Sequence, residues 1–248
     1  MKPWAQDLLL ATNSATTEQA VFTKVAAAAL DLGFTYCGYA VGTALPFTNP
    51  QVVMISNYPT VWQERYAQAR YVEVDPTVKH CSQSALPIVW SERVFAETPE
   101  LWDEAQAAGL CVGWAQSNLD AYGTGGMLTL ARQKEQLSDE ELLSKELRMR
   151  WLVTAAHLAL SRVLLPRFKL TPDTPLTRRE TEILKWAADG KTSSDVSEIL
   201  AIAESTVRFH TKNAISKLGA RNRTAAVGSQ SISARCGIEI RQMPEPGA

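Results

Sequence analysis

Trp62 and Tyr66 stand four residues apart, Tyr58 comes shortly before them, and Asp75-Pro76 shortly after. Residues four apart share one face of a helix, so the two rings would look the same way. A hollow bounded by Trp, Tyr and Phe but holding one carboxylate and a hydroxyl suits a small molecule with an apolar body and an amide head. In such a site Asp75 would accept from an amide N–H, the Trp62 indole could only donate, and Tyr58 and Thr129 would donate to a carbonyl. Spacing by itself favours the plainer alternative, in which the aromatics are core and Asp75 is a turn residue before proline.

A second set lies near the other end of the chain. From Ser205 to Ile238 there are six basic residues (Arg208, Lys212, Lys217, Arg221, Arg223, Arg235) and no acidic one. At ~100° per residue on a helix, Val207, Ala214 and Leu218 fall on one side, flanked by Thr211 and His210. Ser205, Arg208, Phe209, Lys212 and Ser216 fall on the other, with Asn213 at its edge. A face that is basic, rich in hydroxyls and free of carboxylate beyond its first turn suits phosphates and base edges. Lys191 and Thr192 in a preceding turn, Thr206, Lys217 and Arg221 complete the candidate DNA contacts. A basic run alone is more often a solvated helix face, but such a face usually mixes signs and seldom exposes a Phe at its centre.

The elements that must position these residues can be read from caps and periodicity. Thr177-Arg178-Arg179-Glu180 is a capping box, after which Ile183, Leu184, Ala187 and Ala188 recur at helical spacing until Gly190. Thr192-Ser193-Ser194-Asp195 repeats the signature, with Val196, Ile199 and Leu200 as one apolar face of a helix about two turns long. A short turn through Ala201-Ile202-Ala203 leads to a third helix from about Glu204 to Leu218-Gly219, so the pair forms a helix-turn-helix with the second helix as reader. Further upstream, Thr16-Thr17-Glu18-Gln19 caps a helix carrying Phe22 and Val25, Thr60-Val61-Trp62-Gln63 opens another, and Ser138-Asp139-Glu140-Glu141 opens a long one to about Leu165. Tyr36 to Val41, Val52 to Ser56, Cys111 to Ala115 and Met127 to Ala131 read as strands. The expected fold is α+β: an N-terminal α-β-α sandwich with an antiparallel sheet, then an all-α helix-turn-helix domain.

Length and composition agree with two domains. The chain has 248 residues, 46% apolar and 21% charged, enough for real cores and too apolar for disorder throughout. Fourteen basic and 17 acidic residues lie up to Leu170, and 11 basic and 9 acidic after it, so the second part is the more basic. Pro166, Pro172 and Pro175 mark the boundary. The expected division is 1–165, a linker 166–175, and 176–248. No apolar run near the start approaches the ~18 to 20 residues of a bilayer span. Four scattered cysteines without a CxxC pair fit a reducing cytoplasm, and no cleavable leader is expected.

Catalysis finds little support. His80 and Cys81 are adjacent, so their side chains diverge on a strand or a helix. The three histidines, His80, His157 and His210, lack metal-ligand spacing, and there is no Walker loop or GxGxxG; Gly123-Thr124-Gly125-Gly126 resembles a hairpin turn. No enzyme activity, metal or cofactor is expected, and Cys81 and Cys111 are read as small packing residues.

The run from Leu176 to Ser193, followed by Glu204 to Asn213 and Lys217-Leu218, closely resembles the LuxR-type DNA-binding domain, with Glu180, Leu184, Gly190, Val207 and Leu218 at its signature positions. After Ala226 the chain departs from the family's apolar fourth helix, with Gly228, Ser229, Ser231 and Ser233. Asn57-Tyr58-Pro59-Thr60-Val61-Trp62, Arg65-Tyr66, Tyr71 to Thr77, Leu86 to Trp90, Ala108-Gly109-Leu110 and Gly113 resemble the same family's autoinducer-binding domain. The family's Pro-x-x-Gly loop after Gly113 is replaced by Gln116 to Tyr122.

The resemblance implies an N-acyl-homoserine lactone whose lactone carbonyl takes the Trp62 N–H and whose amide N–H goes to Asp75. Tyr58 and Thr129 would address the acyl-side carbonyl, Tyr66, Trp90 and Phe95 would wall the ring and chain, and Thr77 belongs to the same site. It further implies a quorum-sensing transcription factor that binds pseudo-palindromic promoter DNA as a homodimer, with RNA polymerase as a further partner. The long helix from Ser138 could be simple core, yet its length makes it the choice for part of the dimer surface. The alternatives are a helix-turn-helix regulator without ligand response and an output protein of the response-regulator kind, whose receiver would need an N-terminal acidic cluster that does not appear.

Overall fold

A computed structural model describes residues 6, 8–10, 14–42, 52–119, 124–165 and 175–234. The chain forms two compact units, the first from residues 1–120 and 124–168 and the second mainly from 169–248. The stretch from Pro166 to Thr174, the Asp120 to Tyr122 part of the Gln116–Tyr122 replacement and the tail after Ala234 lie outside the described residues.

In the first unit, β1 (Tyr36–Gly42), β2 (Val52–Ser56), β3 (Ile88–Val89), β4 (Val112–Leu119) and β5 (Gly125–Arg132) form one sheet in the order β2-β1-β5-β4-β3. Every described pairing is antiparallel. β4 runs four residues past the expected Ala115, because Gln116, Ser117 and Asn118 still pair with Leu128, Met127 and Gly126. Their polarity hides the strand from a search for apolar runs.

One face of this sheet is covered by α1 (Glu18–Asp31) and α5 (Asp139–Leu164). Thr17 caps α1, its Oγ1 accepting from Ala20 N at 3.2 Å, and Ser138 caps α5, accepting from Glu141 N at 3.1 Å. Strand side chains alternate between faces, so Cys37, Tyr39, Val41, Trp114, Leu128 and Leu130 all point to this side. They meet Val21, Phe22 and Val25 of α1 and Met149, Leu152, Ala156 and Leu160 of α5, every one of them buried. Each large side chain so enclosed contributes about 1.5–3 kcal/mol.

Arg132 ties the end of β5 to α5. Its guanidinium donates to both Glu141 carboxylate oxygens, at 2.9 and 2.7 Å, and to the backbone carbonyls of Glu135 and Gln136. Lys145 adds a third hydrogen bond to Glu141 at 2.7 Å. The Arg132 hydrogen bonds are the largest influence on Glu141; burial opposes them, Lys145 assists, and the carboxyl is held down to about 2.

The opposite face is crossed by α2 (Thr60–Gln68), a single 3₁₀ turn (Tyr71–Glu73), α3 (Pro76–Gln83) and α4 (Pro99–Ala107). The last two helices were not expected from apolar periodicity. Both begin at a proline in the first turn, behind Asp75 and Thr98, where its missing N–H costs nothing.

The second unit is all helical: α6 (Arg178–Ala188), α7 (Ser193–Leu200), α8 (Glu204–Lys217) and α9 (Arg223–Ala234). Both expected capping boxes form, Thr177 with Glu180 and Thr192 with Asp195, and Gly190 takes φ +82° just past the end of α6. Ile183, Val196 and Val207 make one cluster and Leu184, Ala214 and Ala226 another. Ile199, expected on the buried face of α7, is exposed. It lies about 60° round from Val196, on the side away from Leu200, and a two-turn helix buries only a narrow stripe. The fourth helix runs to Ala234 despite its glycine and serines.

Candidate functional site

The face of the sheet under α2, α3 and α4 is built differently from the packed one. Its central rungs place Ser56, Gly38, Thr129 and Ala115 side by side, and then Met54, Ala40, Met127 and Ser117. Most of these side chains are small. Ala40, Met127 and Thr129 keep part of their surface exposed, although β1 and β5 are interior strands whose next residues, Tyr39 and Leu128, are fully enclosed. Large rings stand over this low floor.

Trp62 is nearly buried, stacked on Tyr71 with centroids 6.1 Å apart and edge-on to Tyr66 at 5.8 Å. Trp90 packs edge-on to Phe95 at 5.9 Å and lies so close over β4 that a Cβ at Gly113 would come 2.1 Å from its ring. Only glycine leaves room for it. The Trp90 Nε1 is buried and has no hydrogen-bond partner among the described residues.

Two polar groups converge on this face. Asp75 is the N-cap of α3, its Oδ1 accepting from Thr77 N at 2.8 Å and Thr77 Oγ1 at 2.6 Å, and its Oδ2 accepting from the Tyr66 hydroxyl at 2.9 Å. The turn-residue reading of Asp75 is therefore correct for its backbone, while its carboxylate also reaches the aromatic cluster. A carboxylate offers about four acceptor sites, so one remains on Oδ2. Burial first and the Asp75 carboxylate next push the Tyr66 phenol far above its ordinary range, which keeps it a donor.

On the other side, the Tyr58 hydroxyl stands beside Thr129, whose Oγ1 donates to Gly38 O at 3.1 Å. A Cβ at Gly38 would meet the Tyr58 hydroxyl at 3.0 Å. Burial raises the Tyr58 phenol strongly, so it too stays protonated. Asn57 sets its position by bonding back to β1, with Oδ1 accepting from Cys37 N at 2.7 Å and Nδ2 donating to Thr35 O at 3.0 Å.

The expected residues Tyr58, Trp62, Tyr66, Trp90 and Phe95 thus share one cluster, with Asp75 bonded to Tyr66, Thr77 bonded to Asp75, and Thr129 beside Tyr58. Sequence reading missed what clasps the cover. Arg65 of α2 forks onto Glu104 of α4 with two contacts of 2.7 Å, and Tyr71, stacked under Trp62, donates to the same carboxylate at 2.9 Å. The Arg65 hydrogen bonds, against some burial, hold the Glu104 carboxyl below its usual range. No local pattern announces a partner 39 residues away.

Burial, aided by Asp75, pushes the Cys81 thiol up to about 12, and His80 turns its Nε2 to Leu86 O at 2.9 Å.

On α8, Ser205, Arg208, Phe209, Lys212 and Ser216 are exposed, and Val207 and Ala214 opposite them are buried. Thr206 and Asn213 are half-buried. Phe209 is 60% exposed with its ring edge-on to His210. Arg208 pairs with Glu204 one turn back at 2.7 Å, a surface contact worth about 0–1 kcal/mol that a stronger anion would displace. Lys191 and Arg221 are exposed, Thr192 serves as the cap of α7, and Arg223 donates to Lys191 O. Lys217 departs from the expected contacts: its ammonium lies 2.8 Å from Glu180, turned into the domain.

Residues 17–160 match the family described as the autoinducer binding domain, and residues 174–229 match the bacterial regulatory proteins of the luxR family. The transcriptional activator protein AnoR of Acinetobacter nosocomialis is 41% identical over 232 residues, covering 91% of this chain and 96% of AnoR. The crystal structure of Escherichia coli SdiA is similar with a TM-score of 0.81 at 31% identity, over 93% of this chain and 97% of SdiA. A structure of SdiA in complex with octanoyl-rac-glycerol gives 0.79 at 31% identity, over 92% and 93%.

Proposed function

The chain belongs to the LuxR family of autoinducer-binding, DNA-binding transcription regulators, and from that premise we propose that its first unit encloses an N-acyl-homoserine lactone and thereby licenses a homodimer to grip a pseudo-palindromic promoter. The observation that carries this reading is the two-sided polar set, Asp75 with Tyr66 and Tyr58 with Thr129, facing a floor of small residues under Trp62. In the proposed pose the free Oδ2 site of Asp75 accepts the amide N–H, and Trp62 donates to the lactone carbonyl. Tyr58 and Thr129 address the acyl-side carbonyl. Thr77 holds the Asp75 carboxylate, and Tyr66, Trp90 and Phe95 wall the ligand.

Ligand that binds only the folded state stabilises it by RT ln(1 + [L]/Kd), about 2.7 kcal/mol at a hundredfold excess over Kd. Ligand thus sets how much regulator is competent. We place the working units at 1–165 and 176–248, joined through 166–175. Leu143, Leu147 and Leu158 lie within about 60° of one direction on α5 and are 84%, 67% and 52% exposed, which supports this stripe as the dimer surface. Two copies of α8 would enter successive major grooves about 34–36 Å apart, presenting Ser205, Thr206, Arg208, Phe209, Lys212, Asn213 and Ser216, with Lys191, Thr192 and Arg221 toward the phosphates. RNA polymerase is the partner of the assembled dimer in the cytoplasm.

A neutral acylglycerol is the second reading of the ligand. The related SdiA is seen with octanoyl-rac-glycerol, and Asp75 here already has Thr77 and Tyr66 as donors without any amide. Melting temperatures measured with a chain-length series of acyl-homoserine lactones and with octanoyl glycerol separate the two. A rise with at least one lactone supports the first reading; a rise with the glyceride alone transfers the site to the second; no rise with either removes both. For the DNA, Arg208→Ala and Lys212→Ala should each flatten the log K versus log salt slope by about 0.9. An unchanged slope and affinity for both would remove α8 as the reader.

A further inference from the structure

Lys217 sits at the end of α8, where a basic residue is naturally counted among phosphate contacts. Its Nζ instead donates to Glu180 Oε2 at 2.8 Å and lies 3.4 Å from Pro175 O. The Glu180 side chain is only 4% exposed. The same Oε2 accepts from Thr177 N at 2.7 Å, while Thr177 Oγ1 accepts from Glu180 N at 3.3 Å. One buried carboxylate therefore both closes the capping box that starts α6 and anchors the last turn of α8. Between these ends the two helices share the core of Leu184 and Ala214.

An apolar core resists separation of two helices far better than it resists one sliding or rolling against the other. Hydrogen bonds are directional, and a buried ionic one is costly to leave half made, so a single pair at the helix ends defines the roll. A reading helix needs that definition, because its side chains must meet base edges within hydrogen-bond distance.

We infer that Lys217 is a positioning residue for DNA reading, acting through Glu180 to fix how α8 is set on α6, and makes no phosphate contact of its own. This rests on α8 being the reading helix, and its test separates the two claims. Full-length protein, saturated with the lactone giving the largest melting shift, is titrated onto a two-fold duplex selected by the wild type from a randomised pool and onto a random duplex of equal length. Affinity and its salt slope are measured for wild type, Lys217→Met, Lys217→Arg, Glu180→Gln/Lys217→Met and Lys212→Ala.

Lys217→Met strands the Glu180 carboxylate and should weaken binding to the selected duplex by about tenfold or more, with less loss on the random duplex and with the wild-type salt slope. The double variant replaces the pair by neutral groups and should recover at least half of that loss on a logarithmic scale. Lys217→Arg, which keeps a donor for Glu180, should stay near wild type. A slope lower by about 0.9 in Lys217→Met, with the double variant as weak as the single, would make Lys217 a phosphate contact and overturn the inference. If Lys217→Met does not fold, the double variant's slope against wild type decides in the same way. A wild type that selects no duplex, or a Lys212→Ala slope equal to wild type, would overturn the reading helix itself and this inference with it.

Discussion

The two faces of the five-stranded sheet use the same strands and alternate residues, yet they are built for different ends. Under α1 and α5, Tyr39, Val41, Leu128 and Leu130 are shut away completely. One residue along, Ala40, Met127 and Thr129 keep exposed surface beneath a cover of aromatic rings and hydroxyls. The fastenings differ in the same sense. Arg132, whose fork onto Glu141 holds the packed side, is 8% exposed, whereas Arg65, whose fork onto Glu104 holds the cover, is 43% exposed. Charge pairs screened by water hold less firmly. The pleat of one sheet thus separates a packed face from an open one, with the more easily loosened fastening on the open face, where we propose that the ligand binds.

Leu160→Ala on α5 should test that separation with the largest effect, a loss of about 2–5 kcal/mol in denaturant unfolding, equal with and without lactone. A loss confined to the liganded protein would mean the packed face is part of the site. Asp75→Asn comes next and acts in the opposite way. Asn caps a helix about as well as Asp but leaves the Tyr66 hydroxyl without its acceptor, so unliganded stability should fall by only about 1–2 kcal/mol. Lactone affinity should fall roughly tenfold to a hundredfold, as expected for losing a hydrogen bond to a charged acceptor. A wild-type lactone titration would remove Asp75 from the amide.

Glu141→Gln should cost roughly 2 kcal/mol at neutral pH, discounted for the part of the site open to water. Because folding depresses this carboxyl, its contribution is complete above the ordinary value of 4.5 and disappears as pH falls toward about 2. Unfolding curves of wild type and variant should therefore converge over that interval, and a constant gap would assign the loss to packing. Glu104→Gln should have the smallest effect on stability, less than Glu141→Gln, since its partner is half-exposed. Its signature should be faster amide hydrogen exchange in α2 than in α5. Equal acceleration in both helices would erase the distinction between the fastenings.

What could be read before any coordinates were known was local in origin. Thr177 with Glu180, Thr192 with Asp195, and Ser138 before α5 announced their helices because a cap is satisfied within three residues. The exposed stripe Ser205, Arg208, Phe209, Lys212 and Ser216 followed from helical periodicity. The short helices α3 and α4 escaped because neither begins with a capping box such as the one that announced the equally short α7. The two-residue strand β3 had no alternation to show.

The order of helices and strands, their caps and the chemistry available on each face were therefore determined by the sequence itself, since those depend on neighbours a few residues away. Pairings across 37 or 39 residues were decided only in three dimensions: Lys217 turned inward to Glu180, Arg65 reaching Glu104. A charged side chain is specified by type in the chain, but whether it faces water, a nucleic acid or a buried carboxylate depends on what the fold brings within 3 Å. That distance is set by packing, which no local pattern encodes.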